Sequence, residues 1–296
     1  MKKGLLFLLC LAIILLARTA PAYADIGPKP SVVINFEGLE DQSYYVTLLS
    51  EVPSTGPYSV LGEHPNNQRY YEEDEDYGVW QKFVSYQDED GFHFLQYFGN
   101  CTDTSRFTWG YHPPPRFKIL LYFPEQNCFA ASKEIYERYA FDSYYRVDAT
   151  GLEMQPFTTA RSISAEKDYD YTWETVSLLA RIIATMAIEV LIALLIGFRA
   201  KKLLLVIGTT NIVTQTMLNI LLNIFNYYQG SMAFVFHYIW MELLVIVIEA
   251  IIFSTLLPRY SGKEIMKRTT YLYAFSANAA SFGVGLYLAQ LIPGIF

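Results

Sequence analysis

The stretch EVLIALLIGFRAKKLLLVIGTTNIVTQTMLNILLNIF, residues 189–225, decides how this chain is built. One apolar run ends at Phe198, a basic step of Arg199, Lys201 and Lys202 follows, and a second apolar run begins at Leu203. A helix needs roughly 20 apolar residues, at about 1.5 Å rise each, to cross a bilayer. Working outward from this stretch, segments 174–198, 203–225, 233–257 and 270–292 all reach that length. The expectation is a membrane domain, 171–296, with four transmembrane helices.

The connectors orient it. Arg259, Lys263, Lys267 and Arg268 separate the third and fourth segments, whereas Asn226–Met232 carries neither Lys nor Arg. Short basic loops stay cytoplasmic. The chain is therefore expected to be a multi-pass protein of the plasma (inner) membrane, with the region before the first span and the C-terminus both extracytoplasmic. Tyr171, Trp173, Tyr227 and Tyr228 then fall where interfacial aromatic residues belong.

Seven polar groups interrupt the apolar segments: Glu189 in the first, Asn211, Gln215 and Asn219 in the second, Glu242 and Glu249 in the third, Asn278 in the fourth. An acidic residue at mid-membrane costs about 2.5–3.5 kcal/mol on insertion scales, so such residues face the bundle interior. The spacing agrees, because residues four or seven apart share one helix face. From the topology, Glu189, Asn211 and Glu249 belong to the cytoplasmic half, with Gln215, Asn219 and Glu242 nearer the middle. Arg181 lies about two turns outward of Glu189. In the fourth segment Ala277, Ser281 and Gly285 form a small-residue face suited to close helix packing.

Residues 1–24 read as a signal peptide: Lys2 and Lys3, an apolar run Gly4–Ala17, and Ala22-Tyr23-Ala24 before Asp25. The exported part, 25–170, holds 11 Lys and Arg against 24 Asp and Glu, a net of −13. That acidity excludes a nucleic-acid partner and suits cations, cationic partners or simple solubility. Short runs rich in Val, Ile, Tyr and Phe at Ser31–Phe36, Tyr44–Leu49, Val79–Tyr86, Phe92–Phe98, Arg106–Tyr111, Phe117–Phe123 and Tyr144–Asp148, separated by turn residues, predict a β-sandwich-like domain over 25–150. Lys133–Ala140 is expected to be a short helix capped by Ser132, and 151–170 a linker. The fold class is thus α+β in two parts, a β-sandwich-like exported domain followed by a four-helix transmembrane bundle.

Cys101 and Cys128, alone in an exported domain, are expected to form a disulfide. Two acidic clusters, Glu72–Asp76 and Asp88–Gly91, lack the alternate-position pattern of a Ca²⁺ loop and read as solvated loops. The histidines show no ligand spacing, so no metal site is expected. In the pairs Tyr44-Tyr45, Tyr70-Tyr71 and Tyr144-Tyr145, strand alternation puts one ring of each in the core.

The signal peptide, the Tyr-rich β domain, and four spans carrying Asn211-x-x-Thr214-x-x-x-x-Asn219 followed by Glu242 to Glu249 together resemble a family of bacterial polytopic membrane proteins for which no activity is established. The resemblance therefore implies a plan and no chemistry. Walker A, GxSxG and metal-protease spacings are missing from the sequence. The expectation is a non-enzyme without cofactor, whose partners are the bilayer and a membrane protein or a second copy of itself. Two roles remain. The acidic ectodomain binds an extracytoplasmic ligand in a sensor or accessory role, or the intramembrane glutamates serve a small proton- or cation-coupled transporter or ion pathway.

Overall fold

Ser31–Glu37 (β1) and Tyr45–Ser50 (β2) open the fold and enter different sheets. The structure, a computed structural model, describes residues 27–261 and 265–291; the expected signal peptide lies outside them. After β2 come helix α1 (Tyr77–Ser85) and strands β3 (His93–Phe94), β4 (Gly99–Asn100), β5 (Arg106–Trp109), β6 (Arg116–Phe123) and β7 (Cys128–Ser132). Then follow β8 (Tyr136–Glu137), β9 (Asp142–Asp148), β10 (Thr159–Ile163) and β11 (Ala165–Lys167). The long helices are α2 (Tyr171–Ile196), α3 (Lys201–Gln229), α4 (Ser231–Tyr260) and α5 (Lys267–Leu291). The chain divides into two compact units, one of them Lys29–Tyr169, the other containing the long helices.

In the β-rich unit one sheet has the order β11-β9-β1-β5, and the other β10-β7-β6-β2-β3, with β4 on β2 and β8 on β6. β1 runs antiparallel to β5 and parallel to β9, in register from Ser31 opposite Asp142 to Glu37 opposite Asp148. Alternate residues of both sheets meet in one core: Val32, Ile34 and Phe36 from β1, Phe107 and Trp109 from β5, Phe117, Ile119, Leu121 and Phe123 from β6, Tyr145 and Val147 from β9. The opposite face of β6 is buried too. Leu120 and Tyr122 pack with Trp80 and Phe83 of α1 and with Phe92 and Phe98. Burial on both faces turns β6 into a continuous apolar run instead of an alternating one.

Several expectations give way here. Val79–Tyr86 is helical, because Trp80 and Phe83 lie three apart and reach the same sheet face only on a helix. Lys133–Ala140 is extended: Ser132 does not cap a helix, its Oγ accepting from Ile119 N at 3.0 Å and donating to Glu134 O at 3.0 Å, while Tyr136 pairs with Phe117. The supposed linker contributes β10, parallel to β7, and β11, antiparallel to β9, both edge strands too short to show periodicity. With α1 included, the described residues contain five α-helices, not four.

The expected disulfide is absent, and both thiols are free and buried. Register explains this. Cys128 sits opposite Phe123 on β6, whereas Cys101 follows Asn100, which pairs with Tyr45 on the far side of β2. Two strands intervene, about 14 Å at 4.7–4.9 Å per strand, well beyond the roughly 7 Å Cα limit for a bridge. Of the tyrosine pairs, Tyr44 and Tyr145 are core while Tyr45 and Tyr144 are half-buried, as alternation predicts; both rings of Tyr70-Tyr71 stay outside the fully buried set.

In the helical unit α2, α3, α4 and α5 pack in a closed ring, each against its two neighbours. Asp170 caps α2 by accepting from Trp173 N at 2.8 Å, and Gly197 ends it at φ 103°, a left-handed conformation that disfavours a side chain. Gly230 alone joins α3 to α4. Helices α2, α3 and α4 are long and apolar enough to cross a membrane. Helix α5 is comparably long, but Thr269, Thr270, Ser276, Asn278 and Ser281 dilute its apolar content, so among the described residues three of the four expected spans are apolar enough by length and composition.

Candidate functional site

The helical unit is apolar outside and polar inside, the reverse of a helix bundle built for water. Ile183, Leu195, Leu205, Met217, Phe236 and Phe275 project outward from four helices. The seven polar groups singled out above are all turned inward and buried, with Glu189, Asn211, Glu249 and Asn278 fully so. Helix geometry gathers them at one level. Glu189, Asn211 and Glu249 each lie about 18 residues, or about 27 Å, from the helix ends at Tyr171, Gln229 and Ser231.

Glu249 is the anchored group. Its Oε1 lies 2.6 Å from Thr214 Oγ1 and its Oε2 accepts from Asn278 Nδ2 at 2.7 Å, so α3, α4 and α5 meet on one carboxyl. Asn278 is oriented by a second bond, Nδ2 to Ala274 O at 2.9 Å. Thr214 Oγ1 also approaches Thr210 O at 3.0 Å and Asn211 O at 3.3 Å on its own helix. Hydrogen bonds to a charged group contribute about 1.5–3 kcal/mol, so these contacts fix the rotamers around Glu249.

Glu189 from α2 is the contrasting group. It lies within electrostatic reach of Glu249 and Glu242, and its carboxyl faces the Asn211 side chain, although neither oxygen makes a hydrogen bond of full geometry. Asn211 lies between the Glu189 carboxyl and the Tyr273 hydroxyl, close to both, with neither of its side-chain atoms in a hydrogen bond of full geometry. Tyr273 closes the site from α5, its hydroxyl donating to the Glu189 carbonyl at 3.3 Å and its ring packed edge-on to Phe198.

The remaining groups are apart from this centre. Asn219 satisfies itself on its own helix, Nδ2 to Gln215 O at 2.8 Å, and Gln215 Nε2 has no partner. Glu242 stands two turns nearer the Ser231 end of its helix than Glu249, about 10.5 Å of rise away, next to Tyr238 and with Oε2 in no hydrogen bond of full geometry. Farther out, Arg181 is held by neutral groups, Nε to Ser177 O at 3.4 Å, Nη2 to Ser177 Oγ at 3.2 Å and to Asn223 Oδ1 at 3.4 Å, with Phe234 beneath the guanidinium.

Thr214 and Tyr273 were not among the candidate residues. Both had a signal: Thr214 sits three residues from Asn211 on the same face, and Tyr273 starts the every-fourth-residue row continued by Ala277 and Ser281.

In the β-rich unit the acidic clusters resolve differently from a metal site. The ammonium of Lys118, on the α1-covered face of β6, takes the place a cation would hold: its Nζ bonds Asp88 Oδ1 at 3.1 Å and Oδ2 at 3.0 Å and also meets Asp90. Lys118 and Asp88 are both buried, and the Phe92 ring lies 5.2 Å from the ammonium. In the other cluster Asp76 precedes α1 and Asp74 accepts from Tyr71 N at 2.8 Å. Among the described residues no three His, Cys, Asp or Glu side chains are grouped to hold a metal ion. Compared with known proteins, the chain matches no family model, no curated protein and no solved structure.

Proposed function

We propose that this chain is an integral plasma-membrane protein, related to the bacterial polytopic family it resembles, with α2–α5 as four spans and the β-rich unit and C-terminus extracytoplasmic. The bundle serves as a small proton- or cation-coupled transporter or ion pathway, and the sandwich-like ectodomain is its outer module. One observation carries this reading: Glu249, fixed between Thr214 and Asn278, lies within electrostatic reach of a second buried carboxyl, Glu189, which neighbours the buried amide of Asn211, with no cation beside either acid among the described residues. Buried polar groups are costly to leave unsatisfied, and intramembrane acids mark ion routes. The site needs neither a cofactor nor a catalytic residue.

The test is reconstitution of the full chain in liposomes under an imposed potential, read with a potential-sensitive dye. Charge movement that falls at least tenfold in Glu249→Gln supports the pathway. Dissipation equal to that of empty liposomes in the folded protein refutes it.

A second reading, recognition of an extracytoplasmic ligand in a sensor or accessory role, is favoured by a cleft of about 520 Å³ in the β-rich unit, lined by Asp148, Thr150, Glu153, Gln155 and Thr159. The Thr150 hydroxyl and backbone N–H hold the Asp148 carboxyl below the usual range, so the cleft presents a fixed negative charge. A cationic peptide that binds the wild type and not Asp148→Asn would establish this second role.

A further inference from the structure

We infer that the species handled by the bundle is the proton, exchanged between Glu249 Oε1 and the Glu189 carboxyl, with the Thr214 hydroxyl as the group that accommodates both states. This rests on the ion-pathway reading above and names its substrate.

The argument begins with a single hydrogen atom. Thr214 has one hydroxyl proton and two uses for it, Glu249 Oε1 at 2.6 Å and the carbonyls of Thr210 at 3.0 Å and Asn211 at 3.3 Å. When Glu249 is ionised, Thr214 donates to Oε1. When Oε1 carries a proton, that O–H donates to Thr214 Oγ1, and Thr214 turns its own hydrogen to a carbonyl of the preceding turn. The Thr214–Glu249 bond is kept in both states with its direction reversed, and no heavy atom has to move. The other oxygen, Oε2, is taken by the Asn278 amide, whose N–H only donates, so the variable proton belongs on Oε1.

A metal cation asks for the opposite arrangement. Ca²⁺ takes six to eight oxygen ligands converging on one point. Here both oxygens of Glu249 face hydrogen-bond donors, and the acids are strung along the bundle, Glu242 about 10.5 Å of helix rise outward of Glu249.

The groups around Glu249 come from each element packed on it. They are Glu189 from α2, the neutral Asn211 and Thr214 from α3, and Tyr273 and Asn278 from α5, with Glu242 the next acid, two turns away on its own helix. In the exchange the O–H bond at Glu249 Oε1 breaks and one forms on a Glu189 oxygen. One proton is shared by two carboxyls, their joint charge stays at −1, and no electron is transferred. Each Glu189 oxygen has two lone pairs, so the carboxyl can take that proton while it stays beside the Asn211 side chain.

The experiment uses proteoliposomes of the full chain, with a trapped pH dye reporting protons and parallel uptake of radioactive Na⁺ and Rb⁺. Potential-driven acidification without alkali uptake above empty liposomes is expected, reduced at least tenfold in Glu249→Gln and Glu189→Gln. Thr214→Val keeps both acids and loses the switching hydroxyl; it should slow proton flux several-fold, and Thr214→Ser should restore it. Glu249-dependent uptake of Na⁺ or Rb⁺ overturns the proton assignment while leaving the pathway standing. Absence of both fluxes in protein that elutes as a folded species overturns the pathway itself. Equal rates in Thr214→Val and wild type overturn the role of the hydroxyl.

Discussion

Replacing Asp88 by Asn tests the buried ion pair that closes the outer face of β6. The Lys118 and Asp88 side chains retain only 2% and 1% of their accessibility, so the substitution leaves an ammonium in a nearly water-free site. Removing one partner of such a pair costs about 3–5 kcal/mol. Asp90 still touches Lys118, but its side chain is 57% exposed, and a screened contact of that kind recovers at most about 1 kcal/mol. The net loss is therefore about 3 kcal/mol. A unit of about 140 residues gains about 0.3 kcal/mol per kelvin of unfolding entropy near its midpoint, so the β-rich unit should melt about 10 °C lower. Thermal unfolding of the full chain, followed by near-ultraviolet circular dichroism of the aromatic core, gives the number. The double variant Asp88→Leu with Lys118→Met removes both charges and should return to within about 1 kcal/mol of wild type. A shift below about 2 °C for Asp88→Asn would refute the buried-pair account.

Two further outcomes concern the same unit. Burial pushes the Cys101 thiol from 9.0 to about 12 and the Tyr44 phenol from 10.0 to about 12, so the folded state favours the protonated form of each. Their contribution to stability is complete below pH 9 and is lost as pH rises toward 12, by up to about 1.4 kcal/mol per pH unit per group; denaturant midpoints that stay level from pH 9 to 11 would contradict this. Gln96, buried and at φ 55°, donates from Nε2 to Ser59 O at 2.9 Å and Asn67 O at 3.1 Å and accepts from Arg69 N at 3.2 Å. Gln96→Ala should release the segment between residues 54 and 72 and raise its proteolysis rate at least tenfold, measured by limited digestion.

The helical unit was legible because length and period carry it. Runs such as Leu203–Phe225 specify a helix by length alone, and Asn211, Gln215 and Asn219 specify a face by their spacing. In the β-rich unit, strand existence was readable where Val, Ile and Phe cluster, as in β1 and β6, whereas partner choice was not. Nothing local in Cys101 or Cys128 records that β6 and β2 stand between them. Trp80 and Phe83 misled for a related reason: a nine-residue helix has too few turns to display its period, and what decides its state is the second face of β6, a tertiary fact.

The same distinction separates packing residues from the site. Most polar side chains in the bundle return their hydrogen to the preceding turn: Thr209 to Leu205 O at 2.8 Å, Thr255 to Ile251 O at 2.8 Å, Asn219 to Gln215 O at 2.8 Å. Such groups need nothing from outside their own helix, and their spacing alone cannot tell them from functional ones. What marks the centre is what is left over. Among the described residues of the bundle the buried side-chain atoms outside any hydrogen bond of full geometry are five oxygens, both of Glu189, Asn211 Oδ1, Glu242 Oε2 and Asn278 Oδ1, and two amide nitrogens, Asn211 Nδ2 and Gln215 Nε2, which carry four N–H between them. With all four N–H matched, one oxygen is left over, and a proton held on a carboxyl satisfies it. That leftover acceptor lies among the acids and their amide neighbours, the same groups on which the proposed proton exchange between Glu249 and Glu189 is built.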